Sequence, residues 1–387
     1  MAKRRTFIRA GGLFAAGAAI TAATPLAVAH AVGDDDPVRR PLLTWHAALA
    51  NRRYAPAVIA TIGSSTSEGV GVSAYGRSYA HLLVENLRSR FPVPGSHGGD
   101  NYVAAWGVPG EHRDYAWPVV RTGGVPSTTG WGLKAVNLNA PGQRLSYTFT
   151  GTGVQIWYSR FAGGGSFSVT VNGTVVAAAV ETAGPTDRNA VWSSGPLVRG
   201  THTVVVTCRT TGSSSATFVH GFAAFDGDES QGIRLYHGGH GGTTSGTFAA
   251  NLAGWAPRLA TIQPHLVVLQ LGVNDWRAGI AAAVLKSHLR SVIAAVRAGT
   301  RTDPSFVVYG SPRIAAGHAV EDFTAVTDAW RSLADEDPSV AYFDLGSRQP
   351  SPVLDNTAAL YTPDLIHTTD RGAAHTADAL AAFLSPG

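Results

Sequence analysis

Apolar positions along this chain fall into distinct textures. Residues 57–62 (Ala-Val-Ile-Ala-Thr-Ile) form a short uninterrupted apolar run of the kind that fills a strand buried on both faces. A helical pattern precedes it at residues 38–51, and another follows at 79–90 with Leu82, Leu83 and Leu87 on one stripe. From about residue 95 to 228 helical spacing disappears. Period-two alternation replaces it at 145–149, 154–158, 202–207 and 217–225. Residues 167–171 alternate up to an Asn172-Gly173 hairpin turn, after which the pattern returns at 174–176. Beyond 228, apolar runs at 232–236, 265–271, 305–309 and 340–343 alternate with helical patterns at 247–261, 281–298, 320–334 and 370–384. Repeated β-α units predict a parallel sheet covered on both faces. The whole predicts an α/β domain in two parts, 32–94 and 229–387, with an all-β sandwich or jelly roll inserted at 95–228.

Composition narrows the class. With 387 residues, 44% hydrophobic and 14% charged, the chain can bury a large core and is not generally disordered. The net charge of +4 is carried in part by Lys3, Arg4 and Arg5, and no Lys/Arg cluster elsewhere could track phosphates, so nucleic acid is not an expected partner. Arg4-Arg5-Thr6-Phe7-Ile8-Arg9 is a twin-arginine motif, followed by a weakly apolar Ala/Gly-rich stretch at 10–26 and small-residue cleavage patterns at 27–29 and 29–31. Residues 1–31 therefore predict a twin-arginine signal peptide and a secreted, extracellular protein. The stretch lacks a stop-transfer flank, so no stable membrane anchor is expected. Cys208 is the single cysteine, which excludes an intrachain disulfide. Its place in the apolar run 204–208 makes it a buried small hydrophobe.

Candidate chemistry gathers where strands end. Gly63-Ser64-Ser65 follows the first apolar run, Gly239-His240-Gly241-Gly242-Thr243 the second, and Gly272-Val273-Asn274-Asp275 the third. Asp364-Leu365-Ile366-His367 leads into the last helix. In open α/β sheets ligands bind at the carboxyl ends of strands, so topology would bring these turns to one rim. A serine hydroxyl there needs an imidazole to take its proton, and the imidazole needs a carboxylate to fix its tautomer. Plainer roles exist for each: Ser65 as a helix cap, Asn274-Asp275 as an N-cap pair, and Asp364 as a turn former beside a histidine acting alone. His237, His240, His265 and Asp364 do not make a metal-binding spacing, so neither a metal nor a cofactor is expected.

Taken together the four turns resemble the SGNH/GDSL hydrolase superfamily. Its first block, roughly Gly-Asp-Ser-x-Thr-x-Gly, is met by residues 63–69 with Ser64 at the Asp position and Ser67 at the Thr position. Its glycine block, Gly-x-Ser-Gly, maps onto 239–242, and Gly-x-Asn-Asp and Asp-x-x-His are met in full. The resemblance implies a flavodoxin-like three-layer α/β/α fold and a carboxylic ester hydrolase. It implies Ser65 as nucleophile, His367 as base and Asp364 as its orienting carboxylate, with the Ser65 N–H, the Gly242 N–H and the Asn274 amide forming the oxyanion hole. It covers about 55–90 and 230–385 and leaves the β-insert outside.

The insert holds five of the nine tryptophans, Trp106, Trp117, Trp131, Trp157 and Trp192. Such rings either fill a sandwich core or stack on sugars. The segment from Trp106 to Trp117, with Glu111 and His112 between them, is the candidate substrate-contacting loop, and His240 is a candidate wall residue. The expected activity is removal of O-acyl groups, acetyl foremost, from a polysaccharide or glycoconjugate through an acyl-enzyme. Lipid or small-ester hydrolysis, acyl transfer to a sugar, and carbohydrate binding without catalysis are the alternatives.

Overall fold

The computed structural model describes residues 41–110 and 115–386. The predicted export signal, Glu111 and His112 lie outside the described residues.

The chain opens with α1 (Leu43–Asn51), β1 (Ala57–Gly63), α2 (Ser65–Glu68) and α3 (Tyr79–Arg90). Eleven strands follow: β2 (Ser96–Ala104), β3 (Val119–Thr122), β4 (Val125–Ser127), β5 (Ala135–Asn137), β6 (Arg144–Gly151), β7 (Gly153–Arg160), β8 (Ser166–Val171), β9 (Thr174–Glu181), β10 (Asp187–Ser193), β11 (Gly200–Thr210) and β12 (Phe218–Gly227). The β-α alternation then resumes with β13 (Ile233–Tyr236), α4 (Ser245–Ala250), α5 (Leu252–Trp255), α6 (Leu259–Ile262) and β14 (Leu266–Gln270). It ends with α7 (Val273–Arg277), α8 (Ala282–Gly299), β15 (Ser305–Gly310), α9 (Phe323–Glu336), β16 (Val340–Asp344) and α10 (Asp370–Leu384).

Five parallel strands lie in the order β13-β1-β14-β15-β16. Counted among themselves they run second, first, third, fourth, fifth, the flavodoxin-like order, with its ligand crevice where the order reverses beside β1. The central strand shows why its sequence is apolar throughout. Val58, Ala60 and Ile62 pack with Leu285, Leu289 and Trp330 on one face, while Ala57 and Ile59 pack with Leu83, Leu87 and Leu380 on the other. Strand β14 divides the same way, Val267 and Leu269 against Leu266 and Val268.

The all-β segment is joined to this sheet along its edge. β13 pairs in parallel with β2, and β12, β7 and β10 continue antiparallel beyond it, so one sheet of eleven strands crosses from the α/β part into the inserted part. A second, five-stranded sheet (β3-β6-β11-β8-β9) covers the outer face of that extension. β12 turns Ala223 and Phe225 to the helix-covered core and Phe222 and Ala224 to the sandwich core. Alternation along one strand thus serves two cores. Trp131 and Trp157 are fully buried in the first of these, whereas Trp106, Trp117 and Trp192 are half-buried. Cys208 lies buried in β11, and burial pushes its thiol up from the ordinary value.

Two helical expectations change in detail. The pattern at 247–261 is broken into α4, α5, a 3₁₀ turn and α6. Asn251 leaves helical geometry (φ −112°, ψ 28°) with its side chain donating to the Thr247 carbonyl, and Pro257 in the 3₁₀ turn has no N–H to continue an α ladder. In α3 the fully buried stripe is Ala80, Leu83, Val84 and Leu87, with Leu82 at its margin. Among the described residues no helix is long and apolar enough to cross a membrane.

Candidate active site

The four polar turns meet at the carboxyl end of the parallel strands. Ser65 begins α2 directly after β1, with Ser64 in extended geometry ahead of it and Gly69 in left-handed geometry closing the turn. The turn is tied to the neighbouring strand by Gln270, the last residue of β14. The Gln270 side-chain oxygen accepts from the Ser64 N–H (3.2 Å), the Ser64 hydroxyl (3.2 Å) and the Ser67 hydroxyl (3.0 Å). Ser64 thus needs no carboxylate to hold the turn.

Ser65, His367 and Asp364 form one hydrogen-bonded chain. His367 Nε2 lies 2.9 Å from Ser65 Oγ, and His367 Nδ1 lies 2.7 Å from Asp364 Oδ2. The other carboxylate oxygen accepts from the Thr362 hydroxyl (2.6 Å), the Ile366 N–H (2.8 Å) and the His367 N–H (3.0 Å). Partial burial by itself would raise the pKa of Asp364. The bonds from Thr362, His367 and Ile366 outweigh it and hold the carboxyl well below the usual carboxylate range. An anionic Asp364 fixes the Nδ1–H tautomer, which leaves the Nε2 lone pair facing the serine hydroxyl. Ser65 is buried, the His367 side chain is 18% exposed and that of Asp364 45%. The nucleophilic end of the chain is therefore the drier one.

Three candidate donors lie on the turns that follow β1, β13 and β14. The loop after β13 approaches α2 closely: His240 N–H donates to Gly63 O at 2.9 Å, and a Cβ on Gly239 would stand 2.4 Å from the Glu68 nitrogen, so glycine is required there. Gly242 has φ +73°, the left-handed region that favours glycine, and is exposed. Among the described residues nothing accepts the N–H of Ser65 or of Gly242. Asn274 Nδ2 donates one hydrogen to Thr243 O (2.9 Å), which orients the amide and leaves its second hydrogen available. Below them Asp275 is fully buried and accepts from the Ser245 N–H (2.9 Å) and the Ser245 hydroxyl. Burial raises its pKa against those bonds. It braces the loop from beneath.

A cavity of about 10 Å³ adjoins Ser65, lined by Asn274, Tyr309, Ile314, Tyr361 and Ile366. Such a space admits about one water-sized group. Among the described residues no cluster of His, Cys, Asp and Glu is placed to hold a metal ion. The Ser65–His367–Asp364 chain can form and break an ester at Ser65.

Residues 206–375 match the model of the GDSL-like Lipase/Acylhydrolase family, and residues 132–231 that of the Carbohydrate esterase 2 N-terminal domain. These two matched stretches make the chain similar to carboxylic ester hydrolases of the SGNH/GDSL type. No curated protein sequence matches it. Among solved structures the chain is similar to one described as a peptidoglycan O-acetylesterase in action, at 16% identity over 89% of this chain and 95% of that one, with a TM-score of 0.64. That likeness is one of fold. A family two carbohydrate esterase from Clostridium thermocellum, solved with cellohexaose, aligns at 14% identity over 69% of this chain and 98% of that chain, with a TM-score of 0.33.

The fold thus joins Ser65, His367 and Asp364 in one hydrogen-bonded chain, lines one cavity with Ser65 and Asn274, and sets Gly242 on the loop whose Gly241 is bonded to Glu68 of α2. Of the candidate contact residues, Trp106 and His240 meet edge to face at 5.4 Å between ring centres. His240 Nδ1 donates to Gly132 O at 2.8 Å, which leaves Nε2 as an acceptor. Burial, then the nearby Lys134, lower its pKa and favour the neutral imidazole. Trp117 instead donates its Nε1–H to Ala104 O (3.0 Å) and packs against Tyr75. Sequence reasoning missed Gln270, Thr362 and Glu68. Gln270 and Glu68 had a signal, each being a polar side chain at or beside the end of an apolar strand. Thr362 had none.

Proposed function

We propose that the protein is a secreted serine ester hydrolase that removes small O-acyl groups, acetyl foremost, from a polysaccharide or glycoconjugate. The observation that carries the mechanism is the continuous chain Ser65 Oγ–His367 Nε2/Nδ1–Asp364 Oδ2, with bonds of 2.9 and 2.7 Å. His367 takes the Ser65 proton as Oγ attacks the ester carbonyl carbon. The resulting oxyanion is met by the N–H groups of Ser65 and Gly242 and by the Asn274 amide. As the carbonyl re-forms, the C–O bond to the alcohol breaks and His367 returns the proton to the departing oxygen. Water, deprotonated by the same imidazole, then cleaves the acyl-Ser65 ester and releases the carboxylic acid.

The small space beside Ser65, lined by polar and apolar side chains alike, supports a short acyl group over a long chain. The carbohydrate esterase 2 N-terminal match supports a sugar-borne ester, as does the neutral His240 acceptor beside the half-buried Trp106. The twin-arginine motif at 4–9 supports export. Hydrolysis of an O-acetylated glycan and of a p-nitrophenyl ester series tests the reading. Serine-dependent release of acetate is expected. Rates that rise with chain length would favour a lipase, and acyl groups appearing on an added sugar instead of in solution would favour a transferase.

A further inference from the structure

One buried charge pair touches the site without belonging to the proton-transfer chain. Glu68 ends α2, three residues after Ser65, and its side chain is fully buried. Lys134, from the segment leading into β5, reaches it at 2.6 Å and is 1% exposed. The Lys134 ammonium is also enclosed by the rings of Trp117 (4.7 Å to the ring centre) and Trp106 (5.8 Å). The two carboxylate oxygens divide their work. Oε1 accepts the Val108 N–H at 2.8 Å, and Oε2 accepts the Gly241 N–H.

Burying an ion pair is not a route to stability. An apolar pair of like volume is commonly as stable or more so, so a retained pair calls for another reason. Here that reason is local. Gly241 directly precedes Gly242, whose N–H has no acceptor among the described residues. A carboxylate is a strong acceptor for a backbone N–H and fixes the peptide it holds. Left alone, its charge would oppose the negative oxygen developing on the substrate a few residues away, and Lys134 cancels it. Lys134 comes from the inserted β segment, so this is also where the insert reaches the reaction centre.

Building on the serine-esterase reading, we infer that Glu68, neutralised by Lys134, is a positioning residue: it orients the Gly241–Gly242 turn so that the Gly242 N–H meets the oxyanion. The pair acts in the transition state more than in substrate binding. The test compares wild type with Glu68→Met/Lys134→Met and with Glu68→Gln/Lys134→Met in the full chain. Read-outs are kcat and KM on p-nitrophenyl acetate, the thermal midpoint, and hydrogen exchange of the peptide spanning 239–245.

The Met/Met protein is expected to fold with a midpoint near that of wild type. Its kcat should fall about 10- to 100-fold, within the loss typical of a weakened oxyanion donor. KM should stay within about threefold, and residues 239–245 should exchange faster. Gln/Met returns one acceptor oxygen and should lie between the two. Wild-type kcat in a folded Met/Met protein, or a loss confined to KM, overturns the inference. If Met/Met does not fold, the nearly isosteric Gln/Met decides, and unchanged kcat with unchanged exchange there overturns it equally. If wild type itself turns over no ester, the esterase reading fails on its own. Protection of the Gly241 amide then still decides whether Glu68 holds the turn.

Discussion

Asp364→Asn separates a triad from a histidine working alone. Oδ1 of Asp364 accepts three donors, from Thr362, Ile366 and His367, and Oδ2 faces His367 Nδ1. An amide must keep its single oxygen where three hydrogens point. Its NH₂ is therefore turned towards Nδ1, which can then serve only as an acceptor. The imidazole proton moves to Nε2, facing Ser65, and the base is lost. In a fully buried triad this wrong tautomer costs about 10⁴ in kcat. The Asp364 side chain is 45% exposed, so solvent can partly relieve the constraint. We therefore expect a loss of about 10³, or about 4 kcal/mol at about 1.4 kcal/mol per tenfold, with KM little changed. Steady-state kinetics on p-nitrophenyl acetate, with circular dichroism to confirm folding, make the comparison. Asp364→Asn retaining more than about a tenth of wild-type kcat would refute the tautomer argument and leave His367 as an independent base.

Asn274→Ala should lower kcat by about 10²- to 10³-fold with KM nearly unchanged, the size expected for one oxyanion donor; equal losses in kcat and in substrate affinity would contradict that role. Asp364 is held below the ordinary carboxylate range, so its ionisation should not enter the working pH range. The acid limb of kcat/KM should then follow one proton, and a limb of slope two would contradict it. For stability, a depressed folded value means the contribution of Asp364 is complete above the unfolded aspartate value of about 3.9 and is lost as pH falls through the folded one. The urea-unfolding gap between wild type and Asp364→Asn should therefore be constant above about pH 5 and close in stronger acid. Trp157 is fully buried and packs against Tyr102 and Tyr236. Trp157→Ala should cost about 3–5 kcal/mol in chemical denaturation. A cost below about 1 kcal/mol would mean that β7 does not share the main core.

Much of this was legible because apolar runs report burial directly. The five parallel strands were readable as runs buried on both faces, and with their order came the rim that gathers residues as distant as Ser65 and His367. The continuation of that sheet into the inserted strands was not readable. It rests on the pairing of β2 with β13 and β12, where alternation tells which residues share a face but not which sheet supplies the partner. The break at Asn251 escaped for a related reason. Phe248, Trp255, Leu259 and Ile262 keep helical spacing and stay buried even though the backbone is interrupted. At the site, the residues with motif spacing were found, and the supporting ones were found late or not at all. Gln270 and Glu68 act through acceptor oxygens whose partners lie about 200 and 170 positions away, respectively, and spacing along the chain carries no trace of that.

The central claim is that Ser65 is the nucleophile of an esterase for short acyl groups. Hydrolysis of p-nitrophenyl esters from acetyl to palmitoyl, by wild type and by Ser65→Ala, tests it most directly. The account predicts turnover greatest for acetyl, falling with chain length, and reduced at least about 10³-fold by Ser65→Ala. Undiminished acetyl hydrolysis by a folded Ser65→Ala protein would contradict it.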